Sequence, residues 1–169
     1  MYNSIIINQR RNYMSQKALS FSLKFIIVLM LLCAFSVLCL VSFMMIVSDK
    51  PEIERLRIGW MLFLWSTGIP VAAAAVFAWI TSTNIGHDKS FCLENAKNLR
   101  MISILAAADA VWLFAGNFIL LFLNMNHPSV VLFSMVIVLV GAAISVAAAC
   151  LSHLIVKAAD LQTESDLTI

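Results

Sequence analysis

Charge is what this chain has least of. Only 12% of its 169 residues are Asp, Glu, Lys or Arg, against 62% hydrophobic. The mean hydropathy of +0.96 lies well outside the range of soluble domains. A formal charge of +2 gives no ground for direct nucleic-acid binding. The four cysteines are Cys33, Cys39, Cys92 and Cys150. Three of them fall within apolar runs, so no disulfide framework is implied, and no Cys/His set has metal-ligand spacing. They read as small apolar fillers. H-E-x-x-H, G-x-S-x-G, Walker-type and G-x-G-x-x-G motifs are all missing. His87, His127 and His153 are scattered, with His127 in a tight turn before Pro128 and His153 near a helix end. With no nucleophile–base pair to propose, neither an enzyme nor a bound cofactor or metal is expected.

What the chain does have is four long apolar runs, at 25–47, 58–80, 101–123 and 130–156. About 20 apolar residues in a helix cross a hydrocarbon core about 30 Å thick. In lipid, a helix satisfies every backbone N–H and C=O within one segment. The fold expected is all-α, a four-helix transmembrane bundle over 25–156, preceded by an N-terminal segment 1–24 and followed by an acidic tail 157–169. The connections 48–57, 81–98 and 124–129 hold ten, eighteen and six residues, too few for a soluble catalytic domain. The first run exceeds the ~7–15 residues of a signal-peptide core and closes on no small-x-small site, so it reads as a span.

Orientation follows from Lys and Arg, which stay on the cytoplasmic side. Arg10, Arg11, Lys17, Lys24, Lys89, Lys97, Arg100 and Lys157 fall on one face, and Lys50, Arg55 and Arg57 on the other, accompanied by Asp49, Glu52 and Glu54. Both termini are therefore expected in the cytoplasm, with the spans in the cytoplasmic membrane. Arg10-Arg11 two residues before Met14 is what a purine-rich ribosome-binding site and spacer would encode, which points to translation starting at Met14. Removing both arginines leaves the charge bias intact.

Within the spans, Gly141, Ser145 and Ala149 recur every four residues, as do Gly68 and Ala72, and Ala106 and Ala110. Such small-residue faces let helices approach closely and also suit self-association into a homo-oligomer. Trp60 and Trp79 lie near opposite ends of the second span, as interface anchors do. Pro70, mid-span, removes one helical hydrogen bond and should bend the helix near Ser66 to Gly68. Asp109 is the one acid well inside a span, where a carboxyl group is costly and should face the interior, a partner or a water-filled cavity. It is a candidate proton or cation relay, a polar contact for a ligand, or a protonated or hydrogen-bonded structural residue with Asn117 or His153 as possible polar neighbours. Broken helices in corresponding spans and internal repeats, the usual marks of a transporter, are missing.

The remaining signal lies between the second and third spans. From Ser90 the sequence reads as a short juxtamembrane helix leading into the third span, capped by Asp88 or Ser90, with Glu94 near its positive end. Phe91, Asn95 and Leu99 recur every four residues and are expected on one face, with Lys97 and Arg100 near headgroups or a docked protein. The tail ends Asp166-Leu167-Thr168-Ile169, an acidic and mildly apolar peptide suited to ordering on a partner.

These two stretches, Phe91-x-x-Glu94-Asn95-Ala96-Lys97-x-Leu99-Arg100 and Asp166-Leu167-Thr168-Ile169, resemble an uncharacterised family of small four-span bacterial membrane proteins, catalogued as a domain of unknown function. The likeness runs from the first span onward in span number and spacing. The family usually has Ser where this chain has Cys92 and Gly where it has Ala159, departures that touch a helix cap and a bend before the tail. Its genes often neighbour one for a small helix-turn-helix regulator of the Cro/CI type, so the resemblance implies a regulatory partner and supplies no chemistry. Two expectations follow. One is a non-enzymatic membrane partner that tethers a DNA-binding regulator through Phe91, Glu94, Asn95, Leu99, Arg100 and the tail Asp166, Leu167, Thr168 and Ile169. The alternative is a small oligomeric permease or ion pathway using Asp109.

Overall fold

The computed structural model describes the backbone of residues 2–47, 51–124 and 126–167, and the side chains of residues 16–47, 57–124 and 126–164. Every element among them is an α-helix: α1 (Tyr2–Val47), α2 (Pro51–Gly86), α3 (Leu93–Phe122) and α4 (Pro128–Leu167). All four are long and apolar enough to cross a membrane. The shortest, α3, has 30 residues and is about 45 Å long, so even it outreaches a ~30 Å hydrocarbon core.

The helix ends differ from those the hydropathy suggests. α1 begins well before residue 25, and α4 runs on through most of the stretch read as a tail. The connection between α2 and α3 is only residues 87–92, because α2 continues through Thr81, Ser82, Thr83 and Asn84 to Gly86. No separate juxtamembrane helix precedes the third span: residues 93–100 are the first two turns of α3 itself. Its N-cap is Cys92, in extended conformation and without a side-chain cap. Asp88 does not cap it either. Asp88 lies at φ 61°, where it ends α2: Lys89 N–H donates to Asn84 O at 3.0 Å and Asp88 N–H to Ile85 O at 3.2 Å. That pair of bonds is a Schellman motif with Asp88 in the left-handed position. Glu94 does stand in the first turn of α3, as expected from its charge. α2 remains one helix through Pro70.

The helices pack in chain order, α1 on α2, α2 on α3 and α3 on α4. Among the described residues no Cα of α1 comes within 8 Å of any Cα of α4, so the bundle is open on that side. The most extensive seam is α3–α4. Val131, Ser134, Val138, Gly141, Ser145, Ala148, Ser152 and Ile155 step by three and four alternately, the 3.5-residue period of a left-handed pair. They face Ala96, Ser103, Ala110 and Asn117, all buried and each seven residues from the next. A Cβ on Gly141 would lie 3.4 Å from that of Ala110, and Ser145 Oγ donates to Ser103 O at 2.9 Å. Ala149 is not in this seam. The spacing of four drifts off a 3.5 period, so Ala148 is buried and Ala149 faces outward. Ala72 is likewise exposed, whereas Gly68 does sit against Leu38 of α1, at 3.6 Å from where its Cβ would be.

Few side chains are fully enclosed. Of the buried ones, Ser20, Ser82, Asn95, Asn98, Ser103, Asn117, Ser134 and Ser152 are polar, against only Ala96, Ala110, Val131, Ala148 and Ile155. That inversion is what lipid dictates. Hydrocarbon tails are as apolar as leucine, so large aliphatic side chains gain little by turning inward, while hydroxyl and amide groups gain hydrogen bonds.

Candidate functional site: a clasped end and a cleft at Asp109

Four helices meet at one end through a chain of hydrogen bonds. Ser20 of α1 and Ser82 of α2 bond reciprocally: Ser20 Oγ donates to Ser82 O at 2.6 Å, and Ser82 Oγ to Ser20 O at 2.9 Å. Gly86 lies beside them, where a Cβ would come within 2.9 Å of Ser20 Oγ, so the approach of α1 to the end of α2 depends on its lacking one. Ser90 in the connection donates to Gln16 of α1 at 3.3 Å. Asn95 joins α2, the connection and α3: its amide donates to Lys89 O at 2.8 Å and Ser90 O at 3.1 Å, and its Oδ1 accepts from Asn84 Nδ2 at 2.9 Å. Ser152 of α4 then donates to Ala96 O at 2.7 Å. The start of α1, the 87–92 connection and the last turns of α4 therefore share one end of the molecule.

This clasp separates residues that the helical spacing grouped together. Asn95 is 0% exposed and fully hydrogen-bonded inside the clasp, while Phe91 lies before the helix, in the connection, and is 61% exposed. Leu99 is half-buried, and Glu94, Lys97 and Arg100 are exposed. Leu93, which the sequence reading passed over, is exposed beside Phe91. The side chains of Asp166, Leu167, Thr168 and Ile169 lie outside the described residues; the helix reaches Leu167. Ser20, Ser82, Asn84 and Ser152 carried no sequence signal. A helical serine or threonine is ordinarily satisfied by a carbonyl on its own preceding turn, as Ser36 and Thr83 are here.

Asp109 lies near the midpoint of α3, sixteen residues after Leu93 and thirteen before Phe122. It faces a cleft of about 300 Å³ to which all four helices contribute, among them Leu31, Pro70, Ala74, Ala106 and Ile144. Asp109 is the one polar residue in that lining, and its Oδ1 is buried without a hydrogen-bond partner. Neither Asn117 nor His153 is at hand. Asn117 is bound to Leu113 O and Asn126 toward the other end of α3, and His153 is exposed on α4. A larger cleft of about 730 Å³ lies toward that other end, lined by Trp60, Phe63 and Phe133 and by the polar Arg57, Asn117, Asn126 and His127. Trp112 and Trp65 bridge neighbouring helices, donating to Ser66 at 2.8 Å and Ser42 at 3.2 Å. At the clasped end Lys24 sits 5.3 Å over the Trp79 ring, a pairing suited to the interfacial level. Among the described residues no group of three or more His, Cys, Asp and Glu side chains is placed to hold a metal ion.

Residues 46–169 match the family described as Protein of unknown function (DUF2975). The chain belongs to that family. The matched residues take in α2, α3 and α4 and only the last residues of α1. The chain is also similar to the uncharacterized membrane protein YoaS of Bacillus subtilis (strain 168), 27% identical over 121 residues that cover 70% of this chain and 76% of that protein. No solved structure matches. A membrane protein of four spans agrees with both findings.

Proposed function

We propose that this protein is a non-enzymatic membrane partner of a small cytoplasmic DNA-binding regulator, engaged at the clasped end. The observation that carries the reading is the connection between α2 and α3: it presents exposed Phe91 and Leu93 next to Glu94 on a turn that Asn95 and the Schellman motif hold in one conformation. Most other large exposed apolar side chains lie along the spans, where lipid accounts for them. Lys17, Lys24, Lys89, Lys97, Arg100 and Lys157 all belong to this end, which supports placing it in the cytoplasm of a bacterial cell. The partner's class comes from the family resemblance. Holding the regulator at the membrane would keep it from DNA, and its release would follow from loss of the contact.

Crosslinked co-purification from native membranes tests this. The full chain should capture a small helix-turn-helix protein, and Phe91→Ser with Glu94→Lys, or deletion of 166–169, should lose it while insertion stays normal. Capture unchanged in both variants would end the reading.

A second reading, a small oligomeric permease through Asp109, is favoured by the unbonded Oδ1 in a cleft shared by four helices. Asp109 is the one polar side chain lining its cleft, so this reading takes an oligomer to supply further polar groups. It expects Asp109→Asn to abolish a cation-linked flux that Asp109→Glu partly keeps.

A further inference from the structure

The Asp109 cleft combines three properties that together narrow its occupant. It is roomy, at about 300 Å³, near the lower end of the ~300–1,000 Å³ typical of small-molecule sites. It lies within the spans, between α1 and α4, which both line it and have no Cα atoms within 8 Å of each other. Its wall is apolar apart from one carboxyl group whose Oδ1 has no hydrogen bond.

Four common classes of ligand each fail on one of these counts. A bare metal ion needs several oxygen ligands, about six to eight for calcium, and the lining offers a single carboxyl. A primary ammonium carries three donors and would leave two of them in hydrocarbon. An anion is repelled by Asp109, and a neutral apolar molecule leaves the acid without a partner in a place where an unpaired polar group is costly. A cation whose charge is shielded by its own apolar bulk satisfies both the wall and the acid. We propose that this cleft binds a lipophilic monocation, a quaternary onium or delocalised aromatic cation, with Asp109 as its sole counter-charge. No aromatic ring lines the cleft to share that role. The site uses the same acid as the permease reading and rests on that reading only in making Asp109 functional; it is independent of the tether.

The experiment is equilibrium binding of radiolabelled tetraphenylphosphonium to the purified full chain in lipid nanodiscs, with empty nanodiscs measuring partition into lipid. Expected is saturable binding near one per chain, weakened at least tenfold by Asp109→Asn and largely kept by Asp109→Glu. Tetraphenylborate, alike in shape and opposite in charge, should not compete. Ala74→Phe, which narrows the cleft and leaves the acid in place, should also weaken binding, and it provides a test if Asp109→Asn fails to fold. No saturable binding by the wild type, equal binding by Asp109→Asn, or competition by tetraphenylborate would each overturn the proposal, as would a tight dimer whose interface fills the cleft and excludes the probe. Flux is measured separately. Binding without flux upholds the site and ends the permease reading; Asp109-dependent flux of a small cation without phosphonium binding does the reverse.

Discussion

The clasped end and the Asp109 level are made by the same four helices in opposite ways. At the clasp, hydroxyl and amide side chains reach across every neighbouring pair, and the most deeply buried side chains of the described residues, Asn95 and Ser82, are found there. At Asp109 the neighbouring side chains are aliphatic and no hydrogen bond crosses the cleft, although α3 and α4 stay in contact there through Ala110 and Gly141. The lesson concerns the solvent. Where lipid surrounds a protein, apolar contact holds helices together only through close fit, so small residues and polar pairs decide which surfaces close. The cleft has small residues, Ala74, Ala106 and Gly141 among them, but no polar pair joins its walls, and an acid left there is a candidate for binding something.

Three substitutions can break or sharpen that contrast, each read as a shift in the midpoint of thermal unfolding in detergent. Asn95→Leu should have the largest effect. It leaves the Asn84 amide and the Lys89 and Ser90 carbonyls without their partner, at about 1–3 kcal/mol for each group that stays buried. A clear loss of stability is expected, and a neutral result would mean that the clasp does not hold the end together. Asp88→Gly should act in the other direction and more weakly. Glycine occupies the φ of 61° without the steric penalty of a side chain, so a gain below about 1 kcal/mol is expected. Ile144→Ala, in the cleft wall, should change stability least, within about 0.5 kcal/mol, because its side chain already meets lipid on one side. A loss as large as that of Asn95→Leu would show the cleft to be a packed core.

The number of helices and their central parts were legible in the sequence, because a run of some 20 apolar residues has few other readings. Helix ends were not. Hydropathy marks where lipid begins, whereas α1, α2 and α4 continue as helix through Lys17, Ser82 and Lys157 into polar surroundings. The α3–α4 seam was half legible. Gly141 and Ser145 belong to it, but the spacing of four led to Ala149 in place of Ala148, since only a 3.5 period follows two supercoiled helices. Asp109 stood out at once as a lone acid in a span, while the absence of any partner for it required the packing of all four helices. Asn95 read as part of a docking face with Phe91 and Leu99, whereas it is buried. Its burial depends on where Asn84 and the Lys89 carbonyl are brought by the end of α2, which no local pattern encodes.

The central claim is that hydrogen bonds fasten the helices in chain order at one end, while α1 and α4 leave a cleft between them at the Asp109 level. Paired cysteines in a chain whose four native cysteines are replaced test it in native membranes. A disulfide requires Cα atoms about 4.4–6.8 Å apart. Ser20→Cys with Ser82→Cys should crosslink readily within one chain under mild oxidation. Ala34→Cys with Ile144→Cys, whose residues line the same cleft from α1 and α4, should give no intramolecular crosslink. Efficient closure of the second pair, or failure of the first, would contradict the account.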